Sequence, residues 1–544
     1  MRPAEALLEI LRSEGVTRIF GNPGTTELPL LEALSEATDL TYVLGLHEGP
    51  VVAMADGYAR VTGRPAFVNL HIAAGVANGL IGMLNARRSR TPMVITAGQQ
   101  DRRHLLQDPM LGGDVAAIGS AGVKAAMEVR HAFDLPLIMR RAFAEAVRPP
   151  AGPVLVVIPM DVLEEEGEVT VPDRSPVPVH GRAPATEVAQ AAALLAVARN
   201  PVIVAGDGIG RAAANDDLVA VAERLGAAVF QQPMFDGVNF PGTHPLNRGM
   251  LAPRNAVVRE ALAPHDVLLL AGCQGFNPHH YTPGPPVPGG LAIVQVDADP
   301  ADIGRHFPID IGLVGDVGAT LRAIAAALGD QAPEAKARLE RAAQTTRDRV
   351  AALDTRARAA YGDAPLDPLA AAHAIATGLP GDAVVVEEAI TVGVKLRSVL
   401  RQDRPGSYVH TVGAGLGWGI GAAVGTALAD RSRPVVAVLG DGSAMFGLQG
   451  LWTAARHRLP VLFLIMNNGE YRTLKDTMDE RKRTSVHTGL DLGPPRIDWL
   501  AAAELFGVEG RRVSDAEGLH GLVAGAAGLG GPLLVDVPVT AHGR

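Results

Sequence analysis

Short apolar runs recur along the chain, and most are followed by a helical pattern. The runs VVAVL at 435–439 and VLFLIM at 461–466 fit buried strands, and residues 444–458 between them fit a helix. A strand, a helix and a parallel strand form a right-handed crossover, so both strands end at the same edge of one sheet. Because open α/β sheets bind ligands at that edge, we expect a site at the two strand ends.

The same alternation divides the chain into three α/β blocks. We predict a first domain at 1–170, a proline-rich linker at 171–186, a central domain at 187–330, a linker helix at 331–365 and a third domain at 366–544. Further strands are predicted at 66–70, 93–96, 154–158, 201–205, 266–270, 292–296, 383–387 and 533–537. The predicted fold class is α/β, with three doubly wound parallel-sheet domains. The first and third blocks are candidates for copies of one fold, although residue identity alone does not demonstrate it.

Composition narrows the class of protein. The chain has 544 residues, of which 47% are hydrophobic and 20% charged, as expected for a well-buried globular protein. The net charge of −9 is spread without long runs, which argues against nucleic acid or an acidic membrane as partner. The single cysteine, Cys273, excludes an internal disulfide and fits a reducing compartment. No apolar run approaches the ~20 residues of a spanning helix. We therefore expect a soluble, cytoplasmic protein.

Two short motifs follow the strands at 435–439 and 461–466. GDGS at 440–443 precedes NNG at 467–469, and together they place Asp441 and Asn468 side by side at the sheet edge. A carboxylate, an amide oxygen and backbone carbonyls form an incomplete oxygen shell of the kind that suits Mg²⁺. The glycines let the backbone approach a phosphate, and the helix start at Ser443 adds amide donors. The alternative is a plain turn between strand and helix, but the paired motifs favour the metal site.

The whole segment 440–471 resembles the thiamine-diphosphate motif that opens with Gly-Asp-Gly and closes with Asn-Asn. That motif marks the family of thiamine-diphosphate-dependent 2-keto-acid decarboxylases, acetohydroxyacid synthases and their relatives. The resemblance implies thiamine diphosphate and Mg²⁺ as cofactors, with the metal bound by Asp441, Asn468 and the backbone oxygen of Glu470. It also implies cofactor contacts from Gly440, Gly442, Ser443 and Tyr471.

A second part of the resemblance lies near the amino terminus. GNPGTTE at 21–27 reads as a strand end, a turn and a helix cap at Thr25 or Thr26. Glu48 then stands where a strand runs into an Ala-rich helix. It is either a helix-start carboxylate near the positive end of the dipole or, as the resemblance implies, the glutamate that activates the aminopyrimidine ring. Asn22 and Pro23 are implied as further cofactor contacts.

The resemblance also implies how the protein assembles. In this family the activating glutamate and the diphosphate site come from different subunits. The active site of this chain would therefore be complete only in a homodimer, within a homotetramer.

A glycine-rich segment at 413–417 completes the predicted cofactor site. The resemblance implies that the backbone of Gly413 and Ala414 contacts the aminopyrimidine and that Leu416 wedges beneath the cofactor. The alternative is a packed glycine-rich helix start. In EEAITVG at 387–393, Ile390 replaces a family threonine near the diphosphate, so that only Thr391 supplies a hydroxyl.

Within the family, NLHIAAG at 69–75 and FNPHHYTPG at 276–284 resemble segments of the benzoylformate decarboxylases. They imply catalytic roles for His71 and for His279, with His280 as the rival. The alternatives are a satisfied core histidine at position 71 and surface or stray metal-binding residues at 279 and 280.

The substrate pocket departs from that branch. Thr25 replaces a serine that grips the substrate carboxylate, and a threonine hydroxyl can still donate. Thr473, Leu474 and Thr477 replace bulky aromatic residues on one wall. The substrate therefore need not be aromatic.

The resemblance implies thiamine-diphosphate-dependent, non-oxidative decarboxylation of a benzoylformate-like 2-keto acid to an aldehyde and CO₂, with carboligase side activity. One alternative is a carboligase like the acetohydroxyacid synthases, which the pair His47-Glu48 supports. Another is a non-catalytic α/β nucleotide-binding or regulatory protein. AGDGIG at 205–210 fails the glycine spacing of a dinucleotide fingerprint, and no FAD is implied.

Overall fold

The computed structural model describes residues 1–541 except 166, 168, 176–180 and 482–485, so part of the predicted 171–186 linker lies outside the described residues. The described chain forms three six-stranded parallel sheets with flanking helices, which confirms the predicted fold class. Within the described residues, no helix combines the length and apolar character needed to cross a bilayer.

The first sheet has the strand order β2-β1-β3-β4-β6-β5. Its strands are β1 (Arg18–Asn22), β2 (Thr41–Leu44), β3 (Ala66–Leu70), β4 (Met93–Gln99), β5 (Ala125–Glu128) and β6 (Pro153–Pro159). Its helices are α1 (Pro3–Ser13), α2 (Leu28–Ser35), α3 (Glu48–Thr62), α4 (Ile72–Arg88), α5 (Val115–Ser120), α6 (Leu135–Val147) and α7 (Met160–Glu164). Short 3₁₀ turns lie at Thr25–Glu27, Arg102–Gln107 and Ala132–Asp134.

The central sheet has the order β12-β11-β10-β7-β8-β9. Its strands are β7 (Pro201–Ala205), β8 (Ala228–Gln231), β9 (Asn247–Met250), β10 (Val267–Ala271), β11 (Ala292–Asp297) and β12 (Ile311–Val314). Its helices are α8 (Ala185–Ala196), α9 (Asp207–Arg211), α10 (Asn215–Leu225), α11 (Asn255–Leu262) and α12 (Val317–Leu328), and the long α13 (Pro333–Ala359) follows.

The third sheet has the order β14-β13-β15-β16-β18-β17. Its strands are β13 (Val384–Glu388), β14 (Tyr408–His410), β15 (Val435–Gly440), β16 (Val461–Asn467), β17 (Glu509–Arg512) and β18 (Leu533–Pro538). Its helices are α14 (Pro368–Gly378), α15 (Ile390–Val399), α16 (Trp418–Ala429), α17 (Asp441–Ala444), α18 (Gly450–Arg456), α19 (Arg472–Glu480), α20 (Trp499–Leu505) and α21 (Ala516–Ala524), with a 3₁₀ turn at Gly525–Gly528.

The first and third sheets share one topology. Counted within each domain, both run second, first, third, fourth, sixth and fifth strand, whereas the central sheet runs sixth, fifth, fourth, first, second and third. The inner strands of all three are continuous apolar runs because helices cover both faces. The shared order supports the expectation that the outer blocks are copies of one fold.

Two helices join the first and third domains. On α16, Gly421 and Gly425 let the backbone of α3 approach closely, since a side chain at either position would collide with Pro50 or Met54. The Trp418 indole N–H donates to Asp56 Oδ2 at 2.6 Å, and the guanidinium of Arg60 lies 5.3 Å from the centre of the Trp418 rings. This packing fixes the start of α3, and therefore Glu48, relative to the third sheet.

Two local predictions are wrong. The single helix predicted at 444–458 is two helices, α17 and α18, because Gly447 turns the chain against the backbone of Gly417. The helix cap predicted at Thr25 or Thr26 does not form, and the N-cap residue of α2 is Glu27. The Thr26 hydroxyl instead donates to the Glu27 carboxylate at 2.7 Å.

Candidate active site

The third sheet places two predicted metal ligands together at the ends of adjacent strands. Asp441 follows β15 directly, and Asn468 follows β16, which pairs with β15 in parallel. Asp441 Oδ1 accepts from the backbone N–H of Gly442 at 2.8 Å, and Oδ2 accepts from that of Gly469 at 2.7 Å. Asn468 Oδ1 accepts from the Glu470 N–H at 3.1 Å. The Gly469 amide thus links Asp441 to the turn that carries Asn468.

The Asp441 carboxylate is buried without a cationic side chain bound to it among the described residues. Burial raises the pKa of Asp441 to about 6, and backbone hydrogen bonds oppose the rise only in part. The Glu470 side chain is paired with Lys475 and Arg472, which leaves its backbone oxygen for the predicted role. A divalent cation would supply the missing positive charge, so this oxygen-only donor set fits a metal. Within the described residues, no cluster of three or more His, Cys, Asp or Glu side chains could hold a metal ion.

The turn at 440–443, which contains Asp441, is held by hydrogen bonds and close packing. Ser443 Oγ donates to the carbonyls of Glu388 at 2.8 Å and Gly440 at 3.0 Å, tying the end of β15 to the end of β13. The ring of Tyr471 covers Gly442, where a side chain would meet it at 2.6 Å. Thr391, in the first turn of α15, follows the end of β13 and so lies at the same sheet edge.

The segment 413–417 is held by the first domain. Asn85 on α4 donates to the Gly415 carbonyl and accepts from the Gly415 N–H, both at 2.9 Å. Gly413 packs against Asn85 with no room for a side chain, and Ala414 adopts a left-handed φ of 58°. Ala414 is exposed and Leu416 half-buried, so both remain accessible to a bound molecule.

Glu48 is the first residue of α3, with His47 as its N-cap. The carboxylate is buried, and its Oε2 accepts from Asn78 at 3.0 Å and its Oε1 from Asn22 at 3.5 Å. His47 Nδ1 accepts from the Gly49 N–H at 3.1 Å, so its ring caps the helix. Pro23 follows Asn22 in the turn after β1.

His71 lies at the end of β3 and is held by a buried carboxylate. Its Nδ1 is 2.9 Å from Glu27 Oε2 and 3.3 Å from Thr26 Oγ1. Glu27 also accepts from the N–H groups of Gly24 at 2.9 Å and Gly98 at 3.2 Å. A side chain at Gly24 would collide with the imidazole. His71 is therefore fixed through Nδ1, and its Nε2 is left for another partner.

The other predicted substrate residues are less closely joined. Thr25 is exposed in the turn before Glu27, and the neighbouring Thr26 rather than Thr25 contacts His71. On α19, Leu474 is exposed, while the Thr477 hydroxyl donates to the Thr473 carbonyl at 2.9 Å. None of these contacts links α19 to His71.

His279 and His280 lie in a loop of the central domain. His279 is exposed, and its Nδ1 lies 2.9 Å from His280 Nε2. The loop is joined to α4 by Arg88, which donates to Asn277 Oδ1 at 2.9 Å. Among the contacts of the described residues, none brings either histidine to His71.

Three residues of the candidate site were not predicted from the sequence. Glu27 orients His71, Asn78 binds Glu48 and Asn85 holds the 413–417 segment. Asn78 and Asn85 are seven residues apart, which places two asparagine amides along one face of α4. This seven-residue spacing is the sequence feature that could have indicated both residues.

The chain matches three family models in the order of its three sheets. Residues 1–118 match the N-terminal TPP binding domain of thiamine pyrophosphate enzymes, residues 188–324 the central domain and residues 391–537 the C-terminal TPP binding domain.

Individual relatives extend over nearly the whole chain. It is 37% identical to a benzoylformate decarboxylase of Pseudomonas aeruginosa, with 98% of each chain covered. It is 31% identical to a putative acetolactate synthase large subunit of Mycobacterium tuberculosis, with 99% of each covered. The solved structure of a thiamine diphosphate-dependent 4-hydroxybenzoylformate decarboxylase from Rhodococcus jostii superimposes with a TM-score of 0.86, at 32% identity and 99% coverage of both chains. The predicted resemblance and the predicted thiamine diphosphate cofactor, used with a divalent metal, are confirmed.

Proposed function

Because the chain belongs to the family of thiamine-pyrophosphate enzymes, we propose that it decarboxylates a small 2-keto acid without oxidation, releasing an aldehyde and CO₂. The observation that carries this proposal is His71 held by Glu27 at the carboxyl edge of the first sheet. An oriented imidazole with a free Nε2 suits proton transfer to a product carbon. Similarity to a benzoylformate decarboxylase over 98% of the chain supports the same reaction class.

The cofactor supplies a carbon nucleophile and an electron sink, and the protein supplies binding, orientation and proton transfer. Asp441, Asn468 and the backbone oxygen of Glu470 would bind Mg²⁺, and the metal would hold the diphosphate together with Gly440, Gly442, Ser443 and Thr391. The backbone N–H groups at the start of α17 favour an anion at this edge.

On the first sheet, Glu48 would share a proton with the pyrimidine ring. Its burial places the carboxylate in an apolar setting, and Asn78 and Asn22 fix its orientation. Gly413, Ala414 and Leu416 would face the same ring, and Pro23 and Tyr471 would contact the cofactor.

The substrate would lie between His71 and the wall formed by Thr473, Leu474 and Thr477. Thr25 would donate to the substrate carboxylate, and His279 would assist proton transfer if the loop at 276–284 approaches the bound substrate. This wall lacks an aromatic side chain, so we propose that aliphatic 2-keto acids are accepted beside aromatic ones.

We also propose that the site forms between two copies of the chain. Within one chain, Glu48 binds Asn78 whereas the 413–417 segment binds Asn85, seven residues further along α4 and therefore about 10 Å away. Apolar side chains near each half are exposed in the single chain; they are Leu46, Ile81, Ile390, Met445 and Phe446. A second copy that covers them would bring the two halves together, and a tetramer would be a pair of such dimers.

The cytoplasmic location of the protein stays a prediction from composition.

CO₂ release from benzoylformate, phenylpyruvate, pyruvate and branched 2-keto acids tests the reaction. We expect release, with an aldehyde in equal amount, from at least one of them. No release from any of these acids by the enzyme loaded with cofactor and Mg²⁺ would contradict the proposal.

A carboligase is the second candidate, because the chain is also 31% identical to a putative acetolactate synthase large subunit. With pyruvate alone, a carboligase forms acetolactate, whereas a decarboxylase forms acetaldehyde. Product analysis of one reaction therefore separates the two.

Co-expression of Glu48→Gln and Asp441→Asn chains tests the shared site. If the halves come from different chains, a mixed dimer contains one intact site, and random pairing restores about a quarter of the wild-type activity. Activity no higher than that of either variant alone would place both halves in one chain.

A further inference from the structure

A cavity of about 420 Å³ lies between the central and third domains. It is bordered by β9, which is the outer edge strand of the central sheet, by α13 and by the end of α15. Four arginines line it, at 248, 349, 397 and 401, together with the apolar side chains of Met234 and Phe235. We call it the arginine cavity. No aspartate or glutamate is among its described lining residues.

Among the described contacts, one of the four arginines is neutralised by a carboxylate. Arg397 pairs with the buried Glu387 and also donates to the Tyr408 hydroxyl at 2.9 Å. The other three form no ion pair with a carboxylate in the part of the chain that the structure describes.

The hydrogen-bond acceptors found for Arg349 and Arg401 are uncharged backbone carbonyls. Arg349 donates to the Asn247 carbonyl at 3.2 Å, and Arg401 donates to the carbonyls of Ser398 at 3.0 Å and Leu400 at 3.1 Å. The Nη2 of Arg401 is buried, and among the described residues it has no hydrogen-bond partner. A buried guanidinium N–H without an acceptor is costly unless a ligand supplies one.

The positive charges also act on one another. Burial lowers the pKa of Arg248, and the charge of Arg349 lowers it further. Burial and Arg349 lower the pKa of Arg401 in the same way, and Asp354 opposes them only in part. Asp354 itself lies 3.5 Å from His373 Nε2. The cavity thus holds excess positive charge.

We propose that the arginine cavity binds a phosphorylated organic anion, with its phosphate between Arg248, Arg349 and Arg401 and its apolar body against Met234 and Phe235. A multiply charged phosphate would neutralise three guanidinium groups better than a single carboxylate would. The forked N–H donors of arginine also match the geometry of phosphate oxygens. The volume lies in the range of about 300–1,000 Å³ typical of small-molecule sites.

This cavity is separate from the cofactor site. Thr391 is in the first turn of α15, and Arg401 lies two residues beyond the end of that helix, about 15 Å along its axis. It is also separate from the switch point of the central sheet between β7 and β10. There Gly206 and Gly208 pack directly on Gly272 and Cys273, which leaves no room for a ligand between them.

The test is calorimetric titration of ADP into the enzyme saturated with thiamine diphosphate and Mg²⁺. We expect one ADP per chain in addition to the cofactor. The variants R248M and R401M should each weaken ADP binding at least tenfold, because each removes a phosphate contact. R404M is the matched control, since Arg404 is exposed three residues beyond Arg401 and does not line the cavity, and it should bind ADP like the wild type.

Inorganic pyrophosphate tests the contribution of the apolar wall, and we expect it to bind at least tenfold more weakly than ADP. Equal affinities would overturn the role of Met234 and Phe235. Absence of binding heat for both probes, displacement of the cofactor by ADP, or equal losses in R404M and R248M would overturn the site. If circular dichroism shows that R401M is unfolded, R248M and R401K decide the result, because R401K keeps the charge but loses the fork.

Discussion

The first and third sheets have the same strand order but present different chemistry at their carboxyl edges. The first edge carries the titratable side chains of Glu48, Glu27 and His71, each hydrogen-bonded to another protein group. The third edge carries glycine backbone with Asp441 and Asn468. The same topology therefore holds hydrogen-bonded side chains at one edge and a carboxylate without a cationic partner among the described residues at the other.

The two edges differ in the partners that they provide for a buried carboxylate. Glu27 accepts from two backbone N–H groups and a hydroxyl and also meets the imidazole of His71. Among the described residues, Asp441 accepts only from backbone N–H groups, and no cationic side chain pairs with its carboxylate. A satisfied carboxylate orients its neighbour, whereas an uncompensated one requires a cation. Removing each group separately should therefore have different consequences for activation and for binding.

Glu48→Gln should cause the largest loss. The amide keeps the shape of the side chain but removes the carboxyl group that we propose shares a proton with the pyrimidine, so turnover should fall about 10⁴-fold, the upper range for general acid–base groups. Exchange of the cofactor C2 proton for deuterium, followed by NMR, should fall in parallel. Cofactor affinity should change little, because the third edge is intact. Normal exchange in this variant would contradict the role, and Glu36→Gln, at an exposed position, is the control.

Asp441→Asn should give the opposite pattern. Loss of the carboxylate should weaken Mg²⁺ and thiamine diphosphate binding about 100-fold, in the range known for changes at metal sites. Calorimetry on the apo-protein measures this directly. If the affinity were unchanged while turnover fell, the metal site would lie elsewhere and the contrast between the two edges would fail.

The pH dependence of metal binding also tests the difference between the two edges. The pKa of Asp441 is raised to about 6, and the metal binds its ionised form, so affinity should fall about tenfold per pH unit below about 6. The stability of the apo-protein depends on the same proton, because the folded chain binds it more tightly than the unfolded chain does. Burial of Asp441 therefore lowers the free energy of unfolding as the pH rises from about 4 to about 6. Titrations at pH 5 and pH 7 measure the effect, and Asp441→Asn should reduce it.

The sequence predicted most of the sheet structure because inner parallel strands are continuous apolar runs bounded by turns. It also predicted that Asp441 and Asn468 meet at one edge, since each follows one of two adjacent parallel strands, and it placed Glu48 at a junction of strand and helix. The break between α17 and α18 was missed because it depends on Gly447 packing against Gly417, a contact that helical periodicity does not encode.

Side-chain partners were harder to predict than strand ends. Asn85 and Gly415 are 330 residues apart in sequence, and nothing local to either indicates the other. The choice between Thr25 and Thr26 likewise depends on which hydroxyl faces His71 after the turn folds. The prediction that the site is assembled from two chains came only from the family resemblance, because a single sequence contains no direct signal of its partner surface.

The smallest expected effect is that of Glu27→Gln, because Glu27 holds His71, the proposed proton donor of the first edge. His71→Ala should lower turnover about 100-fold if the imidazole transfers a proton. Glu27→Gln, which keeps a hydrogen-bond acceptor but removes the charge, should lower it only about tenfold and shift the pH profile of turnover, because the imidazole keeps its place but loses its anionic partner. The two variants together should cost no more than His71→Ala alone, since Glu27 acts through His71. Additive losses in the double variant would show that Glu27 acts on the substrate or the fold independently, and the first edge would then contain two acid–base groups rather than one group and its support.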